Sequence, residues 1–212
     1  MNRGVFTFFS FIFVAFLLLS CSNNKKTYWD NGNLKSELHY KNGKLNGKAV
    51  WFYQNGQKEM ELYYKNNKIE GEQIRWYNNG NVESVSRYKD GKLNGSAISY
   101  DRLGHKIAEE NYVNDTLDGV YKLWYPDGKI KVDGRYDKGL YSGRWLYYDQ
   151  TGAVIGIGTF DKGNGVQKAW WPSGTLKRET HYKNNLKEGK EVFYNKKGEV
   201  EQELYYKEGE RL

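Results

Sequence analysis

The stretch YKNGKLNG, residues 40–47, decides the fold because the chain repeats it. Close copies follow as YKNNKIEG at 64–71 and as YKDGKLNG at 88–95, and looser copies continue toward residue 212. Self-similarity at a fixed period of about 20–50 residues is typical of repeat architectures. The chain is therefore expected to be an array of one structural unit rather than a domain of unrelated elements.

The composition favours an ordered array. The 212 residues are 17% aromatic, with 24 glycines, two prolines and one cysteine. Disordered segments contain few aromatic residues, so the composition argues against disorder. A single cysteine excludes a disulfide framework within the chain and a zinc site built from cysteines.

One glycine marks each unit, and two aromatic residues keep a fixed distance from it. The marker glycines are Gly32, Gly56, Gly80, Gly104, Gly128, Gly152, Gly174 and Gly198, spaced by 24 residues except for one step of 22 before Gly174. The aromatic residues four positions before them are Tyr28, Phe52, Trp76, Tyr100, Trp124, Tyr148, Trp170 and Tyr194. Those eight positions after them are Tyr40, Tyr64, Tyr88, Tyr112, Tyr136, Phe160, Tyr182 and Tyr206. We predict that both rows are buried and form the spine of the array.

Within a unit, apolar residues alternate with polar ones. In NLKSELHY (33–40), Leu34, Leu38 and Tyr40 fall on one face of an extended chain. The segments are joined by Asn-Gly, Asp-Gly or Asn-Asn, which supply the positive φ of tight hairpin turns. We predict an all-β fold, a repeat array of about eight β-hairpins of 24 residues. These hairpins would form one elongated, twisted antiparallel meander sheet of roughly 15–16 strands.

The N-terminus has the pattern of an export signal. Arg3 precedes an apolar run at 5–19, and Leu18-Leu19-Ser20-Cys21 resembles the bacterial lipobox. This resemblance implies cleavage before Cys21 and lipidation of its sulfur. We therefore expect a lipoprotein signal peptide at 1–20, a lipidated tether at 21–27 and a repeat domain at 28–212. Ser22 after the cysteine resembles lipoproteins that reach the outer membrane in bacteria with two membranes.

The repeated pattern Y-x-N-G … Y-K-N-G-K-x-x-G … W-Y resembles MORN repeats, specifically the bacterial variant of the YwqK-like proteins. The resemblance covers residues 28–212. It implies single-layer hairpins stacked into a curved sheet that serves as a scaffold or binding surface. Family members are often labelled antitoxins, but an antitoxin acts in the cytoplasm, and this chain is predicted to be exported.

No motif in the sequence indicates catalysis. His39 and His181 occupy the same repeat position, where other units carry residues such as Arg87, so that position does not require imidazole. HExxH, GxSxG and phosphate-binding GxxxxGK[ST] motifs do not occur. We predict a protein that is not an enzyme, with no cofactor and no metal site.

One charge pattern suggests a binding surface. In the three most regular units the same turn carries lysine pairs, namely Lys41 and Lys44, Lys65 and Lys68, and Lys89 and Lys92. We predict that these six side chains share one edge of the sheet and contact an anionic surface, either lipid or glycan. The alternative is that they only keep the turns soluble.

The sixth unit, GAVIGIGTFDKGNG (152–165), has lost two residues and places Gly156 and Gly158 inside a strand. Glycine inside a strand often marks a bulge or the close approach of another backbone. We interpret this unit as a kink that re-aims the array.

Taken together, these patterns predict a lipid-anchored binding or scaffold protein of the cell envelope. Its partners would be the membrane, through Cys21, and another envelope protein, with no nucleic acid. One alternative is a glycan-binding module that uses Trp29, Trp51, Trp145 and Trp171, which alternate away from the predicted buried row. The other is an antitoxin of the YwqK type, which requires the chain to stay in the cytoplasm.

Overall fold

The computed structural model describes residues 22–212, which form one open antiparallel sheet of 18 strands and contain no helix. The strands are β1 (Ser22–Tyr28), β2 (Leu34–Lys41), β3 (Lys44–Phe52), β4 (Lys58–Lys65), β5 (Lys68–Ile69), β6 (Gly71–Trp76), β7 (Val82–Lys89), β8 (Lys92–Tyr100), β9 (Lys106–Val113), β10 (Thr116–Trp124), β11 (Ile130–Asp137), β12 (Leu140–Tyr148), β13 (Val154–Asp161), β14 (Asn164–Trp170), β15 (Leu176–Lys183), β16 (Leu186–Tyr194), β17 (Val200–Lys207) and β18 (Glu210–Arg211).

The sheet is a meander in which each strand pairs with its neighbours along the chain. Short strands β5 and β6 both pair with β4 and flank Glu70, so they are two pieces of one interrupted strand. The predicted all-β array of repeated hairpins is confirmed, and the strand count exceeds the prediction because of β5 and the two-residue β18.

Two kinds of turn alternate and define two edges of the sheet. The short-turn edge carries two-residue turns such as Asn42-Gly43, in which both residues have positive φ (51° and 74°). The long-turn edge carries five-residue turns such as 53–57. There the Tyr53 amide donates to the Gln57 carbonyl at 2.8 Å, and the Gly56 amide donates to the Tyr53 carbonyl at 2.9 Å. Asn, Asp and Gly are the residues that adopt positive φ most readily, so the turn sequences fix the hairpin register.

The expected tether at 21–27 is wrong for the residues that the structure describes. Strand β1 begins at Ser22 and runs antiparallel to β2, with Ser22 opposite Lys41 and Lys26 opposite Glu37. Pairing with β2 satisfies backbone groups on one side of β1, which a tether would leave to water. Cys21 and the predicted signal peptide at 1–20 lie outside the described residues.

The prediction that both aromatic rows are buried is also wrong. Of the sixteen side chains only Phe160 is buried, and Tyr28 on the edge strand β1 is 59% exposed. A single layer of sheet has no second layer to cover its faces. Most of the aromatic residues are therefore half-buried against their neighbours within the sheet.

The densest core surrounds Trp145, which was expected to point away from the buried row. Its side chain is only 3% exposed, and its ring lies 4.8 Å from that of Tyr141 and 5.1 Å from that of Tyr136. Space for the indole comes from Gly134, where an added Cβ would lie 2.3 Å from the Trp145 ring. We call the sheet face that carries Trp145 and Tyr136 the aromatic face.

The two residues that the sixth unit lacks were expected to be missing from its turn, but they are missing from a bulge in its strand pair. Strands β13 and β14 pair without a register shift, whereas β11 and β12 show one between Asp133 and Arg135. The turn itself, Lys162-Gly163, keeps positive φ at both residues. Across this shortened unit, Asn185 joins the short turns on either side. Its side-chain amide group donates to the Gly139 carbonyl at 2.8 Å, and its Oδ1 accepts from the Tyr141 amide at 2.8 Å.

Candidate functional site

The six predicted lysines do lie together on the short-turn edge. Each pair flanks a turn, and its two members are direct cross-strand partners: Lys41 with Lys44, Lys65 with Lys68, and Lys89 with Lys92. All six side chains are exposed. Like charges placed directly opposite each other in a sheet are destabilising. The arrangement is therefore not explained by hairpin stability.

Successive short turns are hydrogen-bonded to each other, and these bonds align the lysine pairs along the edge. The Asn67 amide donates to the Leu45 carbonyl at 2.9 Å, and the Leu45 amide donates to Asn67 Oδ1 at 2.7 Å. In the next turn the Gly91 amide donates to the Ile69 carbonyl at 2.8 Å. With neighbouring strands about 4.8 Å apart, successive pairs are spaced by roughly 10 Å along the edge.

Few acidic groups neutralise these lysines within residues 22–212. Among these six lysines, only Lys68 has a carboxylate of the described residues within ion-pair distance, that of Asp90 at 3.9 Å. Glu70 is nearby but accepts a hydrogen bond from the Asp90 amide at 2.9 Å. The edge therefore presents a row of positive charge over the first three short turns, and the row ends where Val113 and Thr116 flank the fourth turn.

A second regular feature, which sequence reasoning missed, runs along the long-turn edge. In five of the eight long turns the first residue is aromatic and donates a side-chain hydrogen bond to the backbone carbonyl of the residue just before the next long turn. We call these five bonds the turn ladder. They join Trp29 to Phe52 (2.9 Å), Tyr53 to Trp76 (2.7 Å), Tyr77 to Tyr100 (2.8 Å), Tyr125 to Tyr148 (2.8 Å) and Trp171 to Tyr194 (3.1 Å).

The other three long turns begin with Asp101, Asp149 and Asn195, whose side chains cap their own turns. Asp101 Oδ1, for example, accepts hydrogen bonds from the backbone amides of Leu103 and His105, both at 2.9 Å. Desolvation acts to raise the pKa of Asp101, but the hydrogen bonds from His105 and Leu103 together outweigh it, and the pKa is lowered. A short side chain used in this way does not reach the next turn, so the turn ladder is interrupted there.

Within residues 22–212 the aromatic face carries one buried charge, on the seventh unit. The Glu191 side chain is 1% exposed, and its Oε2 accepts a hydrogen bond from Lys187 Nζ at 2.7 Å while its Oε1 accepts from Thr180 at 2.9 Å. Burial by itself would raise the pKa of Glu191, but the bonds from Lys187 and Thr180 outweigh it and the pKa is lowered. The carboxylate is fully paired, which is typical of a structural group rather than a reactive one.

The opposite face of the sheet, which we call the charged face, carries a row of cross-strand ion pairs. Lys122 lies between Glu109 and Asp133 in the register, and its Nζ is 3.2 Å from Asp133 Oδ2. At the start of the sheet Lys26 pairs in the same way with Glu37, at 3.4 Å. Near the other end Lys190 forms an ion pair with Glu203. The row of ion pairs runs across the described sheet, and its outermost members are Lys26 on β1 and Glu203 on β17.

The histidines do not assemble a reactive site. His39 Nδ1 lies 2.6 Å from the Lys48 carbonyl, and His181 lies 3.1 Å from Glu179. Across residues 22–212 no three His, Cys, Asp or Glu side chains are placed to hold a metal ion. In the same range no helix is sufficiently long and apolar to cross a membrane.

Of the four tryptophans proposed for glycan stacking, Trp29 and Trp171 lie in long turns, Trp51 on β3 and Trp145 in the core. Trp145 is buried, as described above. The rings of Trp29 and Trp171 are each covered by a lysine ammonium, Lys35 at 4.3 Å and Lys177 at 4.4 Å from the ring centroid. No common sugar-binding platform results from this placement.

A family model described as MORN repeat variant matches residues 24–42, 45–66, 69–90, 117–138 and 164–184, which together make up half of the chain. Each matched range spans one long turn, and these are the five turns that begin with an aromatic residue and form the turn ladder. The three unmatched units are those whose long turns begin with Asp101, Asp149 and Asn195. No curated protein matches the chain at a significant level.

Proposed function

Because the chain belongs to the MORN repeat variant family, we propose that it is a non-catalytic binding scaffold held at the cell envelope by a lipidated Cys21. Repeat arrays present long continuous surfaces that suit extended partners. On this proposal the sheet binds another envelope protein, while the lysine edge contacts the anionic surface to which the chain is anchored.

One observation carries the membrane part of the proposal. Ser22 lies opposite Lys41 in the pairing of β1 with β2, so the residue that follows Cys21 is at the short-turn edge. A lipid on Cys21 would therefore enter the membrane beside the first lysine pair. Each lysine near an anionic surface contributes about 1 kcal/mol at most, and the effect fades beyond a Debye length of about 8 Å. The lipid would supply the anchoring and the lysines the orientation.

The lysine edge is tested with residues 22–212 and lipid vesicles. Association with vesicles that contain anionic lipid should occur at low salt, weaken at high salt, and disappear when all six lysines of the edge are changed to Gln. The matched control carries six Lys→Gln changes near the long-turn edge, at Lys35, Lys129, Lys131, Lys177, Lys196 and Lys197. Equal loss in both variants, or no association of the unmutated protein at low salt, would leave the lysines only a role in solubility.

The anchor is tested separately in the full chain. One acyl chain gives marginal membrane binding, whereas two or more anchor stably. Cys21→Ala should abolish labelling by a fatty-acid analogue and release the protein from firm membrane association. Labelling that persists in Cys21→Ala would refute lipidation at this residue without affecting the lysine test.

Neither alternative function gains support from the geometry. The glycan-binding hypothesis needs aligned, accessible tryptophans, and Trp145 is buried. The antitoxin function implied by the YwqK-like resemblance needs a cytoplasmic protein, which conflicts with the export pattern at 1–21. A chain that remains soluble in the cytoplasm and protects cells from a co-expressed toxin would reverse this preference.

A further inference from the structure

The two edge strands of the described sheet carry opposite charge. β1 contains Lys25 and Lys26 and no acidic residue, whereas β17 contains Glu201 and Glu203 and follows Glu199. Each of these strands has an unpaired side within residues 22–212, because β1 pairs only with β2 and β18 covers only the end of β17.

The unpaired part of β17 is residues 200–204. Tyr206 and Lys207 pair with Arg211 and Glu210 of β18, and the Leu212 amide donates to the Tyr205 carbonyl at 2.9 Å. An exposed strand edge of this kind offers backbone donors and acceptors to another strand. The question is which strand fits.

The repeat register shows that β1 fits. β1 precedes a long turn just as β16 does, so the register in which β16 pairs with β15 can be applied to β1 and β17. Across the short-turn hairpins, residue pairs equivalent to Glu179 with Val192 and Arg178 with Phe193 recur in each regular unit. The same register applied to β17 and to β1 of another copy pairs Glu203 with Lys26 and Gln202 with Thr27. Lys26 would then lie between Glu203 of one copy and Glu37 of its own, as Lys122 lies between Glu109 and Asp133 inside the sheet.

Two exposed apolar residues meet in the same register. In the interior, the first strand residue after a long turn contacts the aromatic residue before the next one, as Lys106 does with Trp124 at 4.4 Å. The equivalent residues at the two edges are Val200 and Tyr28. They are 56% and 59% exposed, among the most exposed large apolar residues described. Continuation of the sheet would cover both.

We propose that copies of this chain associate head to tail, with β1 of one copy adding to residues 200–204 of β17 in the next. The contact continues the existing sheet and its row of ion pairs from one copy into the other. It is heterologous, so it generates an open chain of copies rather than a closed dimer. This inference concerns the ends of the sheet and does not depend on the proposed membrane role.

The same charges disfavour the two symmetric contacts. A contact of β1 with β1 would bring together Lys25 and Lys26 of both copies. A contact of β17 with β17 would bring together Glu201 and Glu203 of both copies. Like charges directly opposite destabilise a strand pair, and specificity arises as much from such repulsion as from attraction. The glutamates of β17 therefore discourage random pairing but favour a basic strand.

The test is disulfide trapping in the full chain carrying Cys21→Ser, so that the introduced thiols are the only ones. One preparation carries Thr27→Cys and the other Gln202→Cys, which leaves Glu203 and Lys26 intact. Under mild oxidation at about 1 mM protein, which detects contacts as weak as millimolar, the mixture should give a cross-linked dimer. Either preparation alone should give at least about tenfold less.

Two further variants separate this contact from random collision. Ser84→Cys occupies the same repeat position as Gln202→Cys but lies on the interior strand β7, so it should not cross-link to Thr27→Cys. Glu203→Lys in the Gln202→Cys copy should reduce the cross-link about tenfold, and Lys26→Glu in the Thr27→Cys copy should restore it. No mixed dimer at this concentration, or an equal yield with Ser84→Cys, would overturn the proposal.

Discussion

Trp145 lies on the aromatic face because the two aromatic rows occupy opposite faces of the sheet. Along β12, the residues from Trp145 to Tyr147 pair in turn with those from Gly158 to Gly156, so the alternation is regular and Tyr148 faces away from Trp145. The register shift before Tyr148 comes from one extra residue on β13, a bulge that puts the row of Tyr148 and the row of Tyr136 on different faces. The hydrophobic pattern shows no sign of this bulge. Trp145 therefore faces away from the Tyr148 row, as expected, but shares its face with Tyr136.

We expect Trp145→Ala to lower the free energy of unfolding by about 3–5 kcal/mol, because it removes a buried aromatic side chain and leaves a cavity. Gly134→Ala should cost about 1–3 kcal/mol, since the new methyl group would press on the indole. Chemical denaturation checks both values.

The double variant is the control for this explanation. With Trp145→Ala in place the ring that the methyl group would meet is gone, so Gly134→Ala should cost much less. Strict additivity of the two changes would show that the cost at Gly134 has another cause. Tyr63→Ala serves as a surface reference, since Tyr63 is 47% exposed and should cost far less than Trp145→Ala.

Glu191 makes stability depend on pH in a defined direction. Its pKa in the folded protein is lowered from 4.5, so its contribution to stability is present above pH 4.5 and is lost as the pH falls through the folded value. The pKa of Lys187 is raised from 10.5: burial would lower it, but the hydrogen bond and the charge of Glu191, together with Tyr206, outweigh burial. The contribution of Lys187 is therefore present below pH 10.5 and is lost only at still higher pH.

We expect Lys187→Met to cost about 2–3 kcal/mol at neutral pH, below the range for a fully buried pair because 32% of the Lys187 side chain is exposed. Without the ammonium, Glu191 should protonate at a higher pH, so the variant should become less sensitive to acid than the unmutated protein below pH 4.5. Denaturation curves measured between neutral and acidic pH check this. Parallel loss of stability in both proteins would assign the acid sensitivity to other carboxylates.

At the scale of strands and turns, the sequence predicts the hairpins well because their determinants are local. Asn42-Gly43 and the alternation in 33–40 require only neighbours in the chain. Asn185 could not be predicted in the same way, because its partners at Gly139 and Tyr141 belong to a turn two hairpins earlier. The lysine edge was predictable since it follows the repeat, whereas the burial of Glu191 depends on how units seven and eight pack.

The turn ladder gives the long turns an energetic role. Tyr53→Phe removes the hydroxyl that donates to the Trp76 carbonyl at 2.7 Å, and the expected cost is about 1 kcal/mol. Tyr77→Phe should cost a similar amount through the Tyr100 carbonyl. Tyr63→Phe is the matched control, because no hydrogen bond from the exposed Tyr63 hydroxyl occurs within the described residues. Equal melting temperatures for Tyr53→Phe and Tyr63→Phe would mean that water replaces the ladder bond without loss.

At the scale of the whole molecule, packing is uneven along the array. Buried residues occur at Leu62 and before it, and again from Val132 onward, but residues 63–131 contain none. On β7 and β8, in the middle of that segment, the aromatic face includes small or polar residues such as Ser84, Ser86 and Ala97. Each unit of a repeat array contacts only its neighbours, so stability is a sum of local terms. The middle strands are therefore the weakest interior part of the sheet.

This profile predicts a specific pattern of amide hydrogen exchange. Amides of β7 and β8 should exchange faster than those of β3 and β4 and faster than those of β11 to β13, although all of these strands are paired on both sides. Their opening exposes less apolar surface, and local opening free energies follow the apolar area that is buried. Trp145→Ala should accelerate exchange in β11 to β13 and leave β3 and β4 almost unchanged, because the contacts between them pass through the weak middle segment. If protection were uniform along the sheet, or if Trp145→Ala accelerated exchange equally everywhere, the sheet would unfold as one cooperative unit and the nearest-neighbour description would fail.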